Sequence, residues 1–556
     1  MDNYQIAEYF SLLGKLSDIH GENSFKTKAY AAAAFAIEKL PTPLTEIPKT
    51  SIAGLKGIGA SSAAKIIELL ENGKIEALDQ LIQNTPEGIL EMMQIKGLGP
   101  KKITTIWKEM EIESIGELLY ACKENRLKLY KGFGEKTQQQ IAETIEFYFR
   151  SKGSFLYAQI HALAPEIKSF FEKLFPNTII QFTGAYTRQS PVINTLDLVI
   201  PLSIDTIITQ LKKVSEFSTI ENDETTVQFI AGTGIKFCIH SCTSETRLKT
   251  VFQHNGCTAF VQYFEQCFTT IDYASLKDET EIFEAAGIAY IPPCRRENSS
   301  YIDFAKTNSL PPLIETDSIK AIIHSHSNWS DGSNSIEEMA LAAKAKGLEY
   351  LVLSDHSQSA FYANGLKEDR IKAQHQLIDE LNEQLFPFKI FKSIESDILN
   401  DGSLDYSDAI LSTFDLVIAS VHSNLKMTEE KAMMRLLNAI ENPYTTILGH
   451  LTGRLLLSRK GYPINHEQII EACAQHHVAI ELNAHPSRLD IDWSFIDLAL
   501  EKGVYISINP DAHELIGFED VQYGVAAAQK TLLTPQRNLS SFSLVEFEQY
   551  LSNRKK

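Results

Sequence analysis

The feature that most constrains this chain is a series of short apolar runs that each end in histidine or a carboxylate. Residues 321–323 (AII) are followed at once by His324 and His326, with Asp331 in the next loop. A helical pattern with a glycine stop and a second apolar run then follow over 336–353, which predicts a strand–helix–strand unit. Connected in this way, the two strands run parallel, so their carboxyl ends meet at one edge of the sheet.

The same pattern recurs along the rest of the C-terminal half. Later apolar runs end in Asp355-His356, Glu395 and Asp397, His422, His450, and Asp511 with His513. A single His-x-His pair is more often an ordinary surface feature than a metal ligand. Six strand ends that all carry ligand-type residues are hard to obtain by chance, and they predict a metal site at the carboxyl edge of the sheet.

A resemblance to a known family rests on seven segments: HSHSNWSDGS, SDHS, IESDILNDGSLDY, IASVHSN, ILGHLTGRLL, ELNAHPSRLD and NPDAH. They are similar to the successive motifs of the PHP (polymerase and histidinol phosphatase) domain of bacterial family X DNA polymerases. The resemblance covers residues 318–556 and implies a distorted (βα)7 barrel with a trinuclear metal site. It assigns nine ligands: His324, His326 and Asp511 for the first metal, His422 and His450 for the second, Glu395 bridging these two, and Asp331, His356 and His513 for the third.

Imidazoles with a few carboxylates suit Mn, Zn or Fe, whereas Mg prefers a shell of oxygens. Three closely spaced ions of this kind activate water near neutral pH and clamp the oxygens of a phosphoester, which indicates hydrolysis. Glu395 is therefore expected to be a catalytic residue as well as a ligand. Arg454, in the GHLTGR loop, is a candidate phosphate clamp because a guanidinium can bind two oxygens at once; the alternative is an ordinary surface arginine.

Composition limits the remaining possibilities. The net charge is −19, from 71 acidic and 52 basic residues, but residues 1–150 are nearly balanced, with 18 Lys and Arg against 20 Asp and Glu. Any contact with DNA is thus expected to be local and not due to a general basic field. The lack of a long apolar span or a signal-peptide pattern favours a cytoplasmic protein without a membrane partner. The seven cysteines have no Cys-x-x-Cys pair, which argues against a disulfide framework.

Residues 1–150 have the pattern of an all-helical region in which one break occurs three times. The segments GLKGIGASSAAKI, QIKGLGPKKITTI and LYKGFGEKTQQQI each contain a lysine, a glycine, an apolar residue and a second glycine before a helix. Free amides in such a turn, together with the helix N-terminus, can bind a phosphate oxygen. These segments resemble helix-hairpin-helix elements, which bind the DNA backbone without reading sequence. The candidate DNA-binding residues are Gly57, Gly59, Gly97, Gly99, Gly132 and Gly134.

The first helices also resemble the lyase domain of family X polymerases, through HGENSFKTKAYAAAA and the first hairpin. In some members a lysine on the helix after that hairpin forms a Schiff base with an abasic sugar. The matching position here is Lys65, a possible lyase remnant. An ordinary lysine on the helix surface is the more frequent alternative.

Residues 151–317 alternate between strand and helix patterns, typical of an α+β nucleotidyltransferase-like palm and a linker. The palm departs from the family at its active site. Asp197 matches the second aspartate of the family, Thr195 stands in place of the first, and Cys238 aligns with the third. The resemblance thus implies a degenerate polymerase site.

The sequence therefore predicts a multidomain protein: an all-α helix-hairpin-helix region at 1–150, a degenerate palm-like domain with a linker at 151–317, and a PHP phosphoesterase at 318–556. The expected activity is metal-dependent 3′–5′ DNA exonucleolysis or 3′-end processing in repair, on gapped or 3′-ended DNA of any sequence. Three alternatives stay open: an active gap-filling polymerase, a small-molecule phosphatase of the histidinol-phosphatase type, and a non-enzymatic scaffold that binds DNA ends.

Overall fold

The structure is a computed structural model that describes residues 1, 3–40, 42–95 and 97–554. The chain divides into two compact units, one of residues 1–123 and 127–146 and the other of residues 124–126 and 147–556. Within the described ranges, no helix is long and apolar enough to cross a membrane.

The regular elements among the described residues of the first unit are helices. Their bounds are α1 Asn3–Ile19, α2 Ser24–Glu38, α3 Ala60–Asn72, α4 Glu76–Gln83, α5 Glu87–Met92, α6 Pro100–Thr104, α7 Ile115–Lys123 and α8 Glu135–Lys152, the last of which extends past residue 146 into the second unit. Asn23 caps α2, because its side chain accepts a hydrogen bond from the amide of Phe25. Ile6, Phe10 and Leu13 lie on one side of α1 and are buried, which supplies the apolar stripe that holds the bundle together.

The central part of the second unit is an α+β domain. Its strands are β1 Phe155–Leu156, β2 Gln181–Thr183, β3 Val192–Ile193, β4 Leu196–Ile200, β5 Ser218–Asn222, β6 Thr226–Ile230 and β7 Lys236–Ser241. Its helices are α9 Tyr157–Leu174, α10 Gly184–Thr187, α11 Ile204–Leu211, α12 Arg247–Asn255, α13 Thr258–Cys267, α14 Glu279–Ala285 and α15 Tyr301–Lys306. Five strands form one mixed sheet in the order β2-β4-β7-β6-β5, with β4 and β7 parallel.

The C-terminal part is a seven-stranded parallel sheet with the order β14-β13-β12-β11-β10-β9-β8. The strands are β8 Ala321–Ile322, β9 Tyr350–Leu353, β10 Lys389–Asp397, β11 Leu416–Ser420, β12 Thr445–Leu448, β13 Ala479–Asn483 and β14 Ile506–Asn509. The helices are α16 Ile336–Ala345, α17 Glu368–Leu385, α18 Asp408–Leu411, α19 Glu429–Glu441, α20 His466–His476, α21 Ile496–Glu501, α22 Val521–Ala528 and α23 Leu544–Arg554.

This sheet closes into a barrel between its first and last strands. Just beyond β8 and β14, Ser325 forms a parallel bridge with Ala512. The amide of His326 donates to the carbonyl of Ala512 at 2.8 Å. The strand ends that carry His324–His326 and Asp511–His513 are therefore held side by side, as a distorted (βα)7 barrel requires.

The α+β domain and the barrel are joined by buried polar contacts. The Arg295 guanidinium donates to the carbonyl of Thr531 at 3.1 Å, and the Lys530 ammonium donates to the carbonyl of Arg188 at 2.5 Å. Burial lowers the pKa of Lys530 to about 8, against the opposing effect of Glu297. These contacts satisfy charged groups that would be costly to bury alone.

Candidate metal centre

All nine predicted ligands lie at the carboxyl edge of the barrel, on or just beyond the strand ends. Each has less than a tenth of its side chain exposed, since the values range from 0% to 5%. Burying so many ionisable groups is costly unless they pair or coordinate an ion. The position matches the edge at which barrels of parallel strands place their active sites.

The backbone at two of these positions is in the left-handed region. His324 has φ +64° and Asp511 has φ +54°, and neither is glycine. Such conformations cost of order 1–3 kcal/mol each and are found where function holds them in place. Here they turn the chain inward just after β8 and β14, so that both side chains face the centre of the barrel edge.

Glu395, at the end of β10, is the centre of the cluster. Its Oε1 atom lies 3.0 Å from Nε2 of His450, 3.2 Å from Nε2 of His422 and 3.3 Å from Nε2 of His324. Its Oε2 atom lies 3.0 Å from Nδ1 of His356 and 3.6 Å from Nε2 of His326. One carboxylate thus faces five imidazoles, which is the arrangement that a bridging ligand needs.

The remaining carboxylates organise two further groups of donors. Asp511 Oδ1 lies 3.1 Å from Nε2 of His326 and 3.4 Å from Nε2 of His324. Asp331 lies 3.4 Å from Nε2 of both His356 and His513. His326 belongs to both groups, since its donor atom also clusters with those of Asp331, His356 and His513. The assignment of His326 to the first metal stays a prediction.

Further carboxylates fix the orientation of the imidazoles from behind. Glu481 on β13 pairs with Nδ1 of His324 at 2.6 Å and accepts the amide of His450 at 2.7 Å. Asp397 pairs with Nδ1 of His422 at 2.6 Å. In His324 and His422 the other ring nitrogen, Nε2, therefore faces Glu395. Carboxylate–histidine pairs at metal sites have this arrangement.

Asp355 holds the loop that carries Asp331. Its carboxylate accepts from the Ser327 amide at 2.8 Å, the Ser327 hydroxyl at 2.7 Å and the Ser330 hydroxyl at 2.5 Å. Burial raises the pKa of Asp355 even though these donors lower it. Asp355 follows an apolar run, as the ligands do, so the strand-end pattern does not distinguish this support from a ligand. Glu481 lies inside β13, where the strand-end pattern does not apply.

The charges of the cluster depend on one another. Burial lowers the pKa values of His324 and His356, yet the neighbouring carboxylates raise both well above the usual histidine range. Burial likewise raises the pKa of Glu395, and the surrounding imidazoles bring it well below the usual range. Each charge is tolerated here only because opposite charges surround it.

Several atoms that could coordinate a metal ion at the centre are buried and make no hydrogen bond. Within the described part of the chain, these include Nε2 of His324, Nε2 of His513, Oε2 of Glu395 and Oδ2 of Asp331. Buried polar atoms are normally satisfied, so atoms that face one another in this way fit the coordination of metal ions. The residues present therefore fit a multinuclear metal site.

Arg454 lies close to this edge but is held by other groups. Its Nη1 pairs with Asp492 at 2.5 Å and its Nε donates to the carbonyl of Arg488 at 3.0 Å. Its Nη2 donates to the carbonyl of Leu489. These contacts use three of the five N–H groups of the guanidinium, and a role as phosphate clamp stays a prediction.

In the first unit the three repeated turns have one geometry. Gly57, Gly97 and Gly132 have φ +89°, +94° and +94°, a region that favours glycine. The second glycines, Gly59, Gly99 and Gly134, each come directly before a helix, and a Cβ atom there would meet nothing within 4 Å. The backbone at these glycines is thus open to a ligand. The apolar residues between the glycines, Ile58, Leu98 and Phe133, are buried.

The lysines that precede these turns are Lys56, Lys96 and Lys131, and Lys96 lies outside the described residues. Lys65 lies half-buried on α3, in the helix that follows the first turn. Its role as a lyase remnant stays a prediction.

The palm-like sheet places the predicted polymerase positions together. Asp197 on β4 is the register partner of Cys238 on β7, and Thr195 lies in the turn just before β4. The Asp197 carboxylate also lies 3.0 Å from Nε2 of His240. Among the described residues, the metal-type donors grouped with Asp197 are thus a thiol and an imidazole, and no second carboxylate joins them.

Family models match the first unit and much of the barrel. A helix-hairpin-helix domain matches residues 1–75, a SAM-like helix-hairpin-helix tandem matches residues 89–146, and a PHP domain matches residues 323–485. The seven-stranded barrel with its buried histidine and carboxylate clusters is therefore a PHP domain, in a protein that also carries helix-hairpin-helix elements.

Similarity over the full length is more specific. The DNA polymerase/3′-5′ exonuclease PolX of Bacillus subtilis is 32% identical over 99% of both chains. A probable phosphatase of Caldanaerobacter subterraneus is 27% identical over 42% of this chain and 91% of its own length, and one of Vibrio parahaemolyticus is 32% identical over 34% and 76%. The chain belongs to the bacterial family X DNA polymerases that carry a C-terminal PHP domain. The predicted family and fold class are both confirmed.

Proposed function

We propose that this protein is a metal-dependent 3′–5′ DNA exonuclease and 3′-end phosphoesterase of DNA repair, and that the PHP barrel carries the activity. The observation that supports this most is the position of Glu395, whose carboxylate faces five buried imidazoles. A structural metal site needs fewer donors and no open positions. The relative in Bacillus subtilis carries 3′-5′ exonuclease in its name.

The donors fit three divalent ions, with Mn or Zn preferred and Fe possible, because imidazole nitrogens outnumber the carboxylates. His324, His326 and Asp511 would hold one, His422 and His450 a second with Glu395 shared, and Asp331, His356 and His513 a third. Ions held there would supply activation of water and neutralise charge on the phosphodiester. Glu481 and Asp397 keep the Nε2 atoms of His324 and His422 directed at the centre.

DNA is the substrate that best accounts for the first unit. Three turns with open amides before helix N-termini favour binding to phosphates, which explains contact with DNA in a protein of net charge −19. Binding through the backbone predicts weak sequence preference. Gapped DNA and 3′ ends are the proposed forms.

We further propose that the palm-like domain does not synthesise DNA. Two cations and a nucleotide triphosphate require carboxylates to offset their charge, and Asp197 is the carboxylate at the matched positions. Thr195 is at best a weak ligand, and the Cys238 thiol is a poor ligand for a hard ion. Burial and the charge of Asp197 raise the pKa of Cys238 to about 12, so without a bound ion the thiol is neutral.

The alternative of a small-molecule phosphatase has one observation in its favour, because probable phosphatases match the C-terminal part of the chain. A small-molecule substrate would not require the three turns that we propose bind DNA phosphates. Gap-filling synthesis is the other alternative, since the Bacillus subtilis relative is named a polymerase.

The experiment is a primer labelled at its 5′ end on a gapped template, incubated with Mn, and a parallel incubation with histidinol phosphate. The proposal predicts a ladder of shortened primers and little release of phosphate from the small molecule. Rapid release of phosphate with an intact primer would contradict the proposal and favour the phosphatase.

A further inference from the structure

We propose that the palm-like sheet holds a separate transition-metal site, made by Asp197, Cys238 and His240, which takes a zinc-type ion with a thiolate ligand. The site lies outside the PHP barrel, and its chemistry differs from that of a hard-ion nucleotide site.

The sheet register brings the three side chains to one face. Asp197 on β4 pairs with Cys238 on β7, and Val199 pairs with His240 in the same parallel ladder. Because side chains alternate along a strand, residues 197, 238 and 240 share a face. Their donor atoms all lie within 4.8 Å of one another, and Asp197 Oδ1 lies 3.0 Å from His240 Nε2.

These distances suit one tetrahedral ion. Zinc binds sulfur, nitrogen and oxygen at about 2.0–2.3 Å, so its ligands lie within about 4 Å of one another. Small side-chain rotations would close the remaining gap. A mixed set of thiol, imidazole and carboxylate favours zinc or cobalt over Mg, which prefers oxygen ligands.

Burial leaves the site enclosed but reachable. Cys238 is 7% exposed, and the side chains of His240 and Asp197 are 10% and 21% exposed. The backbone of Gly184 packs against the carboxylate of Asp197, because a Cβ atom there would lie 2.4 Å from its Oδ2. The main chain of Gly184 therefore closes the site beside the Asp197 carboxylate, which keeps some exposure to solvent.

A second imidazole packs against the proposed site. His254 on α12 stacks on His240 with 3.7 Å between ring centroids. On binding of the ion, the Cys238 thiol releases its proton to solvent, and the thiolate and the Asp197 carboxylate together balance the dication.

Metal binding at this site can be distinguished from metal binding at the PHP centre. Cys238 would supply a thiolate ligand, and the nine predicted ligands of the PHP centre include no thiol. A thiolate bound to Co(II) gives a charge-transfer absorption in the near ultraviolet that imidazole and carboxylate ligands do not give. The experiment is a titration of the metal-stripped full-length protein with Co(II), followed in the near ultraviolet, for the wild type and the variants Cys238→Ser and Cys242→Ser. Cys242 follows the end of β7 and is the matched control.

The proposal predicts one charge-transfer band in the wild type and in Cys242→Ser, its loss in Cys238→Ser, and its displacement by Zn(II). A wild type without the band, or a band that persists in Cys238→Ser, would overturn the proposal. The variant Asp197→Asn retains the Cys238 thiol. It provides a second test of the site if Cys238→Ser does not fold. It should raise the Co(II) concentration at half-saturation roughly tenfold or more, because the anionic ligand is lost, and an unchanged titration would overturn the proposed site.

Discussion

At the scale of single residues, the proposed activity depends on groups that fix the ligands as much as on the ligands themselves. Glu481 contacts His324 at 2.6 Å, the amide of His450 at 2.7 Å and the side chain of Asn509 at 2.8 Å. One buried carboxylate thus orients two proposed ligands from different strands. Glutamine at this position cannot accept all of these hydrogen bonds, because the NH2 group of its amide donates and only its oxygen accepts.

Glu481→Gln is therefore expected to weaken metal binding by roughly 10–100-fold. Competition between the protein and a chromophoric chelator measures the affinity. Glu467→Gln, at an exposed position on α20, is the matched control and should bind metal like the wild type. An affinity of Glu481→Gln within a factor of two of the control would show that Glu481 does not position the ligands.

Some of these residues can be predicted from the sequence and others cannot. Histidines and carboxylates that follow apolar runs can be recognised, because each lies where the apolar run of a strand ends. Glu481 lies inside the buried strand β13, where a carboxylate has no local signature. The left-handed backbone at His324 and Asp511 is not predicted by the local sequence either, since both residues adjoin the bridge between Ser325 and Ala512, which joins distant parts of the chain.

At the scale of elements, the repeated turns of the first unit are the clearest match between sequence and structure. The pattern of two glycines around one apolar residue predicts a tight turn, and all three copies have φ near +90° at the first glycine. The all-helical pattern predicted for residues 1–150 corresponds to helices such as Asn3–Ile19, Ser24–Glu38 and Ala60–Asn72. The helix ends depend on local caps such as Asn23, which the apolar period does not indicate.

Strands in the palm-like domain are less predictable. β5, Ser218–Asn222, has a mostly exposed pattern and no apolar alternation, so the sequence does not predict it. It forms because β6 offers an antiparallel partner. Pairing of this kind depends on distant residues and not on local pattern.

The turns give a prediction about DNA binding. Gly59 and Gly99 have φ −83° and −88°, which any residue adopts, and both are N-cap positions. Gly59→Asp with Gly99→Asp should keep the helices intact, because aspartate caps well, while its charge repels phosphate by about 1 kcal/mol per turn. Fluorescence anisotropy should thus report roughly tenfold or more weaker binding to duplex DNA.

Gly59→Asn with Gly99→Asn is the matched control, with the same size and capping ability but no charge. It should bind DNA more tightly than the aspartate pair. Equal affinities for the two pairs would mean that these turns do not contact phosphates.

At the scale of the whole molecule, the metal centre should contribute to the stability of one unit only. The ligands come from both ends of the barrel, from β8 to β14, so bound ions tie the first strand to the last. Ions present at a hundred times their Kd stabilise the folded form by about 2.7 kcal/mol per site. The first unit contributes none of the nine predicted ligands.

Chelation is thus expected to increase hydrogen exchange at the ends of β8, β10 and β14 and to leave exchange in α1–α4 unchanged. Mass spectrometry of exchanged peptides measures this, with and without a chelator. Equal protection of the barrel ends in both conditions would contradict a role of metal in holding the barrel edge.

We propose that the PHP barrel shortens DNA from its 3′ end and that the palm-like domain does not extend it. The most direct measurement is one assay of a labelled primer on a gapped template with Mn and nucleotides. It compares the wild type, Glu395→Gln and the control Glu441→Gln, which is exposed at the end of α19. We expect shortening without extension by the wild type and the control, and a rate of shortening that is lower by roughly a hundredfold or more in Glu395→Gln. Undiminished shortening by Glu395→Gln, or template-directed extension that Asp197→Ala removes, would contradict the proposal.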